Sequence, residues 1–340
     1  MPCSRKNMPG QNDLPFISVV IPVKNAARFL PKCLDSLNNL NYPKDKYEVI
    51  ISDSDSTDGT RQIAVSMGAK VVDAGGPSVC AGRNSGFKAS KGEIVAFSDA
   101  DCVMDKDWLA NAVKYFADRD VACVGGVSLV PEDETAFGKA CGFIFSYSLF
   151  TGGSTYGMDF PKVREVKHNP GCNAIYRRSS LERVMPVDER ITDGEDVVMN
   201  KRLSDMGYKF LFTPDTKLWH YRSSTPKRFW KQKIHYGIGR VMIARQYPAL
   251  LNPMHIIAGY SIPLIAGTML LAAYLKMVIF FAVFYAGAVF LLFFFFSAWF
   301  KVRSLRVALN VPLAIIILLF GWSIGFMGEV FFPQRKKQSL

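Results

Sequence analysis

The stretch Ile94-Val95-Ala96-Phe97-Ser98-Asp99-Ala100-Asp101 joins an apolar run to two carboxylates. The run predicts a buried strand, and carboxylates released at the end of such a strand are well placed to hold a divalent cation. Asp101 is suited to be the metal ligand, and Asp99 beside it could hold a ribose or a water molecule. An isolated Asp-x-Asp pattern is a weak signal because surface loops often contain it, but the preceding strand strengthens it considerably.

Outward from this stretch, strand-like and helix-like segments alternate. Strands are predicted at residues 16–21, 47–51, 70–72 and 94–97, and helices at residues 27–39, 58–67 and 78–89. This alternation is typical of βαβ units and predicts an α/β domain with a mainly parallel sheet. Polar clusters at residues 22–25, 53–55 and 99–101 follow three of the strands. Ligands of such sheets bind at the carboxyl ends of the strands, so we expect the three clusters to share one site.

A second acidic cluster, Glu195-Asp196, opens another helix-like segment. It offers a candidate general base, Asp196. The alternative is that both carboxylates only complement the dipole of the first helical turn. Asp53, at the end of the second strand, could accept a hydrogen bond from a nucleobase; the alternative is an ordinary turn residue.

The amino-acid composition limits the classes of molecule that the protein is expected to bind. The 340 residues carry 41 basic and 29 acidic side chains, a formal charge of +12. No basic stretch in the soluble part is interleaved with base-stacking aromatic residues, so no nucleic-acid partner is expected. Nucleotide phosphates and an anionic lipid surface are the expected partners. The seven cysteines form no CxxC pair, which argues against structural zinc and favours a reducing compartment.

The chain is predicted to comprise a polar tail (1–14), a catalytic domain (15–225), a basic amphipathic interfacial helix (226–250), a transmembrane region (251–332) and a basic tail (333–340). In the interfacial helix, basic residues including Lys227, Arg228 and Lys233 surround an apolar stripe that runs from Trp230 to Met242. Such a helix is expected to lie against lipid phosphates.

About three spans are predicted, at residues 253–275, 277–300 and 307–332, since about 20 apolar residues cross a bilayer. The tail 1–14 lacks a signal-peptide core, so a multi-pass protein of the cell membrane with a cytoplasmic catalytic domain is expected. Lys301, Arg303 and Arg306 agree with this orientation. Three spans would place residues 335–337 outside, against the charge bias, and a re-entrant segment would remove the conflict.

Five motifs in this order resemble family 2 glycosyltransferases of the GT-A fold. They are Ile17-Ser18-Val19-Val20-Ile21-Pro22-Val23-Lys24-Asn25, Asp53-Ser54-Asp55-Ser56-Thr57-Asp58-Gly59-Thr60, Ala81-Gly82-Arg83-Asn84-Ser85-Gly86, Phe97-Ser98-Asp99-Ala100-Asp101 and Gly194-Glu195-Asp196. The resemblance covers roughly residues 15–250. The basic helix and apolar tail are similar to membrane-bound members that build exopolysaccharide, the succinoglycan type.

The resemblance implies inverting transfer of a sugar from a UDP-, GDP- or dTDP-sugar to a polyprenyl- or dolichyl-linked acceptor. It implies the following roles: a nucleoside slot lined by Pro22, Val23 and Lys24; a base contact from Asp53; nucleotide contacts from Arg83, Asp99 and Ala100; a Mg²⁺ or Mn²⁺ site at Asp101 and Asp99; a catalytic pair Asp196 and Glu195; and an acceptor contact from Asn173.

Two departures from the family pattern are Ala26, where an acidic residue is usual, and Asp53-Ser54-Asp55, where Asp-Asp-Gly is usual. The QxxRW motif of processive synthases does not occur, which favours addition of a single sugar to a hydroxyl. One alternative is a synthase that uses the polyprenyl or dolichyl phosphate itself as acceptor. Another is a non-catalytic membrane scaffold that binds a nucleotide sugar, and a transporter of lipid-linked sugars ranks lower.

Overall fold

The computed structural model describes residues 14–191, 193–274 and 278–333. Two compact units make up this part of the chain. The first contains the described residues up to Leu129 together with Ser154–His220, and the second contains Val130–Gly153 and the described residues from Tyr221 onward. Most of the predicted N-terminal tail, the break predicted at Lys276 and the basic residues 335–337 lie outside the described residues.

One sheet organises the first unit. Its strands are β1 (Ile17–Val23), β2 (Tyr47–Asp53), β3 (Lys70–Asp73), β4 (Ile94–Ser98), β5 (Cys102–Met104), β6 (Val121–Leu129), β7 (Arg164–Val166), β8 (Asn173–Arg177) and β9 (Lys209–His220). They are ordered β3-β2-β1-β4-β8-β6-β9-β5, with β7 paired to β9.

The sheet is mixed. The β1, β2, β3 and β4 pairings are all parallel, as the alternation of strands and helices predicts. β8 then inserts between β4 and β6 and runs antiparallel to both, and β5 and β7 are antiparallel to β9. Parallel pairing returns between β6 and β9. The sheet is therefore parallel throughout its N-terminal half and combines parallel and antiparallel pairs in its C-terminal half. The remaining strands pair with residues far away along the chain, which local periodicity does not reveal.

Helices pack beside this sheet in the first unit. They are α1 (Leu30–Asn38), α2 (Thr60–Ser66), α3 (Val79–Ala89), α4 (Trp108–Val113), α7 (Arg178–Leu181) and α8 (Glu195–Asp205). The strands β1 and β4 are buried almost throughout, and Leu34 and Trp108 complete the core beside them. Both faces of these two strands are covered by protein, which is typical of central strands in an α/β sheet.

The second unit is helical. Its helices are α5 (Ala136–Phe145), α6 (Ser148–Thr151), α9 (Pro226–Gln246), α10 (Pro253–Gly259), α11 (Ser261–Tyr274), α12 (Val278–Val302) and α13 (Leu305–Phe331). Two segments, Phe281–Val302 and Leu305–Phe331, are long and apolar enough to span a membrane. The third predicted span is a broken pair, Pro253–Gly259 and Ser261–Leu271, bent by 59°. The count of three spans thus depends on whether this bent pair crosses.

The helix α13 is half covered by protein, unlike α12. Half of the α13 span is buried, against 11% of the α12 span. Both α5 and α9 pack against α13. This packing groups residues 130–153 with the C-terminal helices, an association between distant segments that the contiguous boundaries predicted from sequence do not include.

The buried residues of the basic helix α9 lie mostly outside its predicted apolar stripe. Its buried residues include Phe229, Gly237 and Val241, and also Lys233, which is only 5% exposed. The Lys233 ammonium lies 4.7 Å from the ring centres of Phe145 and Phe229. Lys233 is therefore not among the residues offered to lipid phosphates, whereas Lys227 and Arg228 are exposed.

Candidate active site

The three polar clusters predicted at strand ends do lie at one edge of the sheet. β1 and β2 end side by side, with Val23 paired to Asp53. β4 lies on the other side of β1, and Asp99 follows directly after it. The parallel order of these strands brings their carboxyl ends together, as it does in other sheets of this class.

The residues of the predicted nucleoside slot lie at the ends of β1 and β2. The side chain of Asp53 is 1% exposed, and its Oδ2 accepts a hydrogen bond from the Ser56 amide at 3.3 Å. Its Oδ1 is buried and accepts no hydrogen bond within the part of the chain that the structure describes. A buried acceptor without a donor is costly. The N–H group of a keto nucleobase would supply that donor.

The other residues of the predicted slot differ in how exposed they are. Pro22 packs directly against Gly82 of α3, where a Cβ would lie 2.6 Å from the Pro22 Cβ. Val23 is buried, and its carbonyl accepts from the Ser54 amide at 2.9 Å. Lys24 is exposed at the strand end. Pro22 and Val23 therefore shape the wall beside Asp53, and Lys24 is the member of this group that faces solvent.

Arg83 joins the two acidic clusters predicted from sequence. Its guanidinium is buried, makes an ion pair with Glu195 and lies 3.7 Å from Asp99 Oδ1. Gly171 leaves room for it, since a Cβ there would lie 2.3 Å from Arg83 Nη2. Burial alone would lower the pKa of Arg83, but Glu195 and Asp99 outweigh it and raise the pKa. The guanidinium therefore stays charged between the two clusters.

Asp196 opens α8 beside this guanidinium. Its Oδ2 accepts a hydrogen bond from the Gly171 amide at 2.8 Å and lies 3.8 Å from His168 Nε2. Burial alone would raise the pKa of Asp196, but His168, Arg83 and two backbone amides outweigh it and lower the pKa. The side chain keeps 18% exposure. An ionised, partly accessible carboxylate at this place can act as a general base.

A cluster of metal-ligating side chains lies beside Asp99. Asp101, Cys102 and His220 bring ligand atoms within 4.8 Å of one another. Asp101 Oδ1 and His220 Nε2 are 3.2 Å apart. Burial raises the pKa of the Cys102 thiol well above its ordinary value, so carboxylate and imidazole are the better ligands. Carboxylate oxygens suit Mg²⁺ or Mn²⁺, and the softer imidazole nitrogen suits a transition-metal ion better than Mg²⁺.

The metal-ligating cluster is supported from the loop that precedes β7. The Tyr156 hydroxyl lies 3.4 Å from His220 Nδ1, and the two rings meet edge to face. An imidazole whose Nδ1 is held by a neighbour presents Nε2 to a cation in a fixed direction. The segment between α6 and β7 thus contributes Tyr156 to the site.

Two predicted site residues have different surroundings from those expected. Asn173 is fully buried: its amide donates to the Val127 and Thr216 carbonyls and accepts from Trp108 Nε1 at 2.9 Å. The prediction that it contacts the acceptor is therefore wrong. Glu195 is buried in its ion pair with Arg83, and burial raises its pKa. It supports the site but is not exposed to a substrate.

Three contributors to the site were missed from sequence: His220, His168 and Asn200. His220 ends β9, and it reaches Asp101 only because β9 pairs with β5, with Cys102 opposite His220. His168 and Asn200 meet through a 2.7 Å hydrogen bond between the loop before β8 and α8. The only available signal was the scarcity of histidine, with four in the chain.

Comparison with known proteins finds glycosyltransferases. Residues 18–185 match the family described as Glycosyl transferase family 2. The glycosyltransferase AglE of Haloferax volcanii is 33% identical over 210 residues, which cover 59% of this chain and 66% of that protein. The probable glycosyltransferase YdaM of Bacillus subtilis is 27% identical over 264 residues, 73% of this chain and 60% of that protein. The chain thus spans less than two thirds of both relatives.

Two further similarities extend beyond the catalytic motifs. The dolichyl N-acetyl-alpha-D-glucosaminyl phosphate 3-beta-D-2,3-diacetamido-2,3-dideoxy-beta-D-glucuronosyltransferase of Methanococcus voltae is 25% identical over 244 residues, 68% of this chain and 74% of that protein. The solved mannosyltransferase PcManGT from Pyrobaculum calidifontis, in complex with GDP-Man and Mn²⁺, superimposes with a TM-score of 0.65 at 22% identity and covers 93% of this chain and 90% of its own. This confirms the predicted GT-A type fold. The chain contains a glycosyltransferase family 2 domain over residues 18–185.

Proposed function

We propose that the protein is an inverting glycosyltransferase that moves one sugar from a nucleotide-sugar donor to a hydroxyl of a lipid-linked saccharide. The observation that carries the proposal is the position of Arg83, between Asp99 on the donor side and Glu195-Asp196 on the acceptor side. One guanidinium thereby links Asp99, which adjoins the proposed metal ligands, to Glu195, which adjoins the proposed base Asp196.

The donor is expected to bind along the carboxyl ends of β1, β2 and β4. The orphan Oδ1 of Asp53 favours a base with a donor N–H between carbonyl groups or beside one, as in UDP-, GDP- or dTDP-sugars. Asp101 and His220, with Asp99 beside them, would hold Mg²⁺ or Mn²⁺. That cation would neutralise the charge that develops on the nucleoside diphosphate as it leaves.

The chain's own residues account for the acceptor side of the reaction. Asp196 takes the proton of the acceptor hydroxyl while the hydroxyl oxygen forms a bond to the anomeric carbon of the donor sugar. The bond from that carbon to the diphosphate oxygen breaks on the opposite face, which inverts the configuration. Asp196 is suited to this role because its pKa is lowered, so that it is ionised at neutral pH.

A lipid-linked acceptor is supported by the second unit and by the relatives. Two helices of that unit are apolar and long enough to span a membrane. The Methanococcus relative is named for transfer to a dolichyl-linked N-acetylglucosaminyl phosphate. We propose a multi-pass protein whose catalytic unit is cytoplasmic, with the exposed Lys227 and Arg228 of α9 near an anionic lipid surface.

Asp196→Asn tests the proposal. Wild-type and variant protein are assayed in vesicles that contain polyprenyl-linked saccharides, with UDP-, GDP- and dTDP-sugars and Mg²⁺ or Mn²⁺. We expect transfer by the variant to fall by about 10²- to 10⁴-fold, because the attacking hydroxyl loses its proton acceptor. Nucleotide affinity should be unchanged, since the substitution lies away from the Asp53 slot.

Asp205→Asn is the matched control. Asp205 ends the same helix, is exposed and pairs with Lys201. It should retain full activity. A polyprenyl phosphate oxygen is already ionised and needs no base, so near-normal turnover by Asp196→Asn with a phosphate acceptor would replace the proposed reaction by synthesis of a lipid-phosphate sugar. Binding of nucleotide without any transfer by the wild type would favour the scaffold.

A further inference from the structure

The loop before β8 places a histidine between the proposed base and a buried amide. His168 Nε2 lies 3.8 Å from Asp196 Oδ2. On the other side of the ring, His168 Nδ1 lies 2.7 Å from the Nδ2 of Asn200, one turn along α8 from Asp196. The imidazole therefore bridges two side chains of the same helix.

The hydrogen bonds of Asn200 fix the tautomer of this imidazole. The Tyr176 hydroxyl donates to Asn200 Oδ1 at 2.7 Å, and Asn200 Nδ2 donates to the Asn169 carbonyl at 2.9 Å. The carbonyl can only accept, so the amide nitrogen must face it and His168. The second Nδ2 hydrogen then points at His168 Nδ1, which must accept it. A neutral imidazole that accepts at Nδ1 carries its proton on Nε2.

The geometry points to His168 as a positioning residue for Asp196: its Nε2–H is held toward the carboxylate and keeps the proposed base ionised and oriented. This inference rests on the proposed role of Asp196. The imidazole does not itself take the substrate proton, because Nε2 already carries one and Nδ1 is occupied by the Asn200 amide. The abstracted proton stays on Asp196 until product leaves.

Other charged groups face Asp196 as well. Arg83 approaches from α3, Glu195 precedes it on α8, and Tyr176 lies on β8. Arg83 also favours the carboxylate form of Asp196, whereas Glu195 opposes it. Loss of His168 therefore weakens the stabilisation of the ionised base but does not abolish it. The base should then be protonated up to a higher pH, which moves the acidic limb of the activity profile upward.

Two amide substitutions separate positioning from simple structural support. In His168→Gln the side-chain nitrogen can occupy the place of Nε2 and donate to Asp196. In His168→Asn the shorter side chain reaches only the place of Nδ1. Both variants are assayed as full chains in vesicles at saturating Mn²⁺, with kcat/KM measured from pH 3 to 8, because the lowered pKa of Asp196 places its acidic limb at low pH. Thermal unfolding is recorded over the same range.

We expect His168→Gln to keep the wild-type profile. We expect His168→Asn to lose about tenfold in kcat/KM at neutral pH and to shift the acidic limb upward by about one pH unit, with the KM for nucleotide sugar unchanged. In the Asp196→Asn background, His168→Asn should have no further effect, because the histidine acts only through the carboxylate.

A wild-type pH profile for His168→Asn overturns the inference. So does an equal loss in both variants without a shift of the limb, or an additive loss in the double variant. If Asp196→Asn alone retains full transfer, the proposed base is wrong, and that result is independent of His168. If both amide variants unfold at lower temperature but only His168→Asn shifts the limb, the positioning role stands.

Discussion

Asp101 Oδ1 and His220 Nε2 lie 3.2 Å apart, at the ends of two segments that are remote in sequence. The antiparallel pairing of β5 with β9 places Cys102 opposite His220 and so brings them together. From this relationship we propose that the imidazole is a second protein ligand for the cation that Asp101 was predicted to bind.

Replacement of His220 by Ala should therefore weaken metal binding. We expect the Mn²⁺ concentration for half-maximal transfer to rise by about 10- to 100-fold, because a direct ligand is lost while Asp101 remains. The measurement is a Mn²⁺ titration of activity at saturating donor. His235→Ala is the control, since His235 is exposed on α9. An unchanged Mn²⁺ requirement in His220→Ala would remove the imidazole from the metal site.

Acid should weaken the same site. Desolvation in the cleft, reinforced by Cys172 and Asp101, raises the pKa of Asp99 to about 7, although Arg83 opposes the shift. Burial alone would lower the pKa of His220, but Tyr156 and Asp101 outweigh it and raise the pKa. Both groups therefore hold protons in the metal-free site as the pH falls below 7, and a cation must displace them.

We expect the Mn²⁺ concentration for half-maximal activity to rise from pH 8 to pH 6, by about tenfold per pH unit for each proton displaced. At saturating Mn²⁺ the rate should change far less, because the lowered pKa of Asp196 keeps the base ionised over this range. In Asp99→Asn the Mn²⁺ requirement should depend less steeply on pH, because one fewer proton is displaced when the cation binds. Equal Mn²⁺ requirements at pH 6 and pH 8 would contradict the argument.

Asp53→Ala should weaken donor binding. A base N–H that pairs with the buried Oδ1 contributes about 1–3 kcal/mol, so the KM for nucleotide sugar should rise by about tenfold or more. The control is Asp73→Ala, because Asp73 pairs with the same arginine, Arg61, but is 75% exposed. Isothermal titration with UDP, GDP and dTDP measures the effect directly. Equal nucleotide affinities in wild type and Asp53→Ala would place the base elsewhere.

The N-terminal half of the sheet could be predicted because its strands alternate with helices, a pattern typical of parallel βαβ units even where the paired strands, such as β1 and β4, are far apart in the chain. Runs such as residues 17–23 and 94–98 are buried on both faces, and buried parallel strands read as continuous apolar segments. The convergence of Asp53 and Asp99 followed from that order alone. His220 and His168 could not be found in this way, because their roles depend on pairing and loop contacts between distant segments.

The C-terminal helices show a second limit. A helix covered by lipid and a helix covered by protein can have the same apolar composition. The sequence therefore could not distinguish the exposed α12 from the half-buried α13. The buried Lys233 in α9 was misplaced for a related reason. Its ammonium is accommodated by aromatic rings that include Phe145 of α5, a helix predicted from sequence to belong to the catalytic domain.

The contact between α9 and α13 rests on glycine, and this gives the last prediction. A Cβ at Gly325 would lie 2.0 Å from the Ile234 carbonyl oxygen of α9. Gly237 of α9 approaches the α13 backbone in the same way, and Gly321 makes a looser contact, 3.0 Å from the Lys233 Cβ. Small residues of this kind let two helix backbones pack directly. Gly325→Ala must push the helices apart, because its clash is with backbone and no side chain can rotate away.

We expect Gly325→Ala to destabilise the protein by about 1–3 kcal/mol, the usual cost of overpacking. Gly328→Ala, one turn further along α13, meets nothing within 4 Å. It should be neutral or stabilise by up to about 1 kcal/mol, since alanine favours a helix over glycine. Thermal unfolding of the detergent-solubilised full chain compares the two variants. A pair of alanine substitutions on one helix with opposite signs would establish that α13 is held by protein contacts with α9, and two equal midpoints would show that the helices do not pack as described.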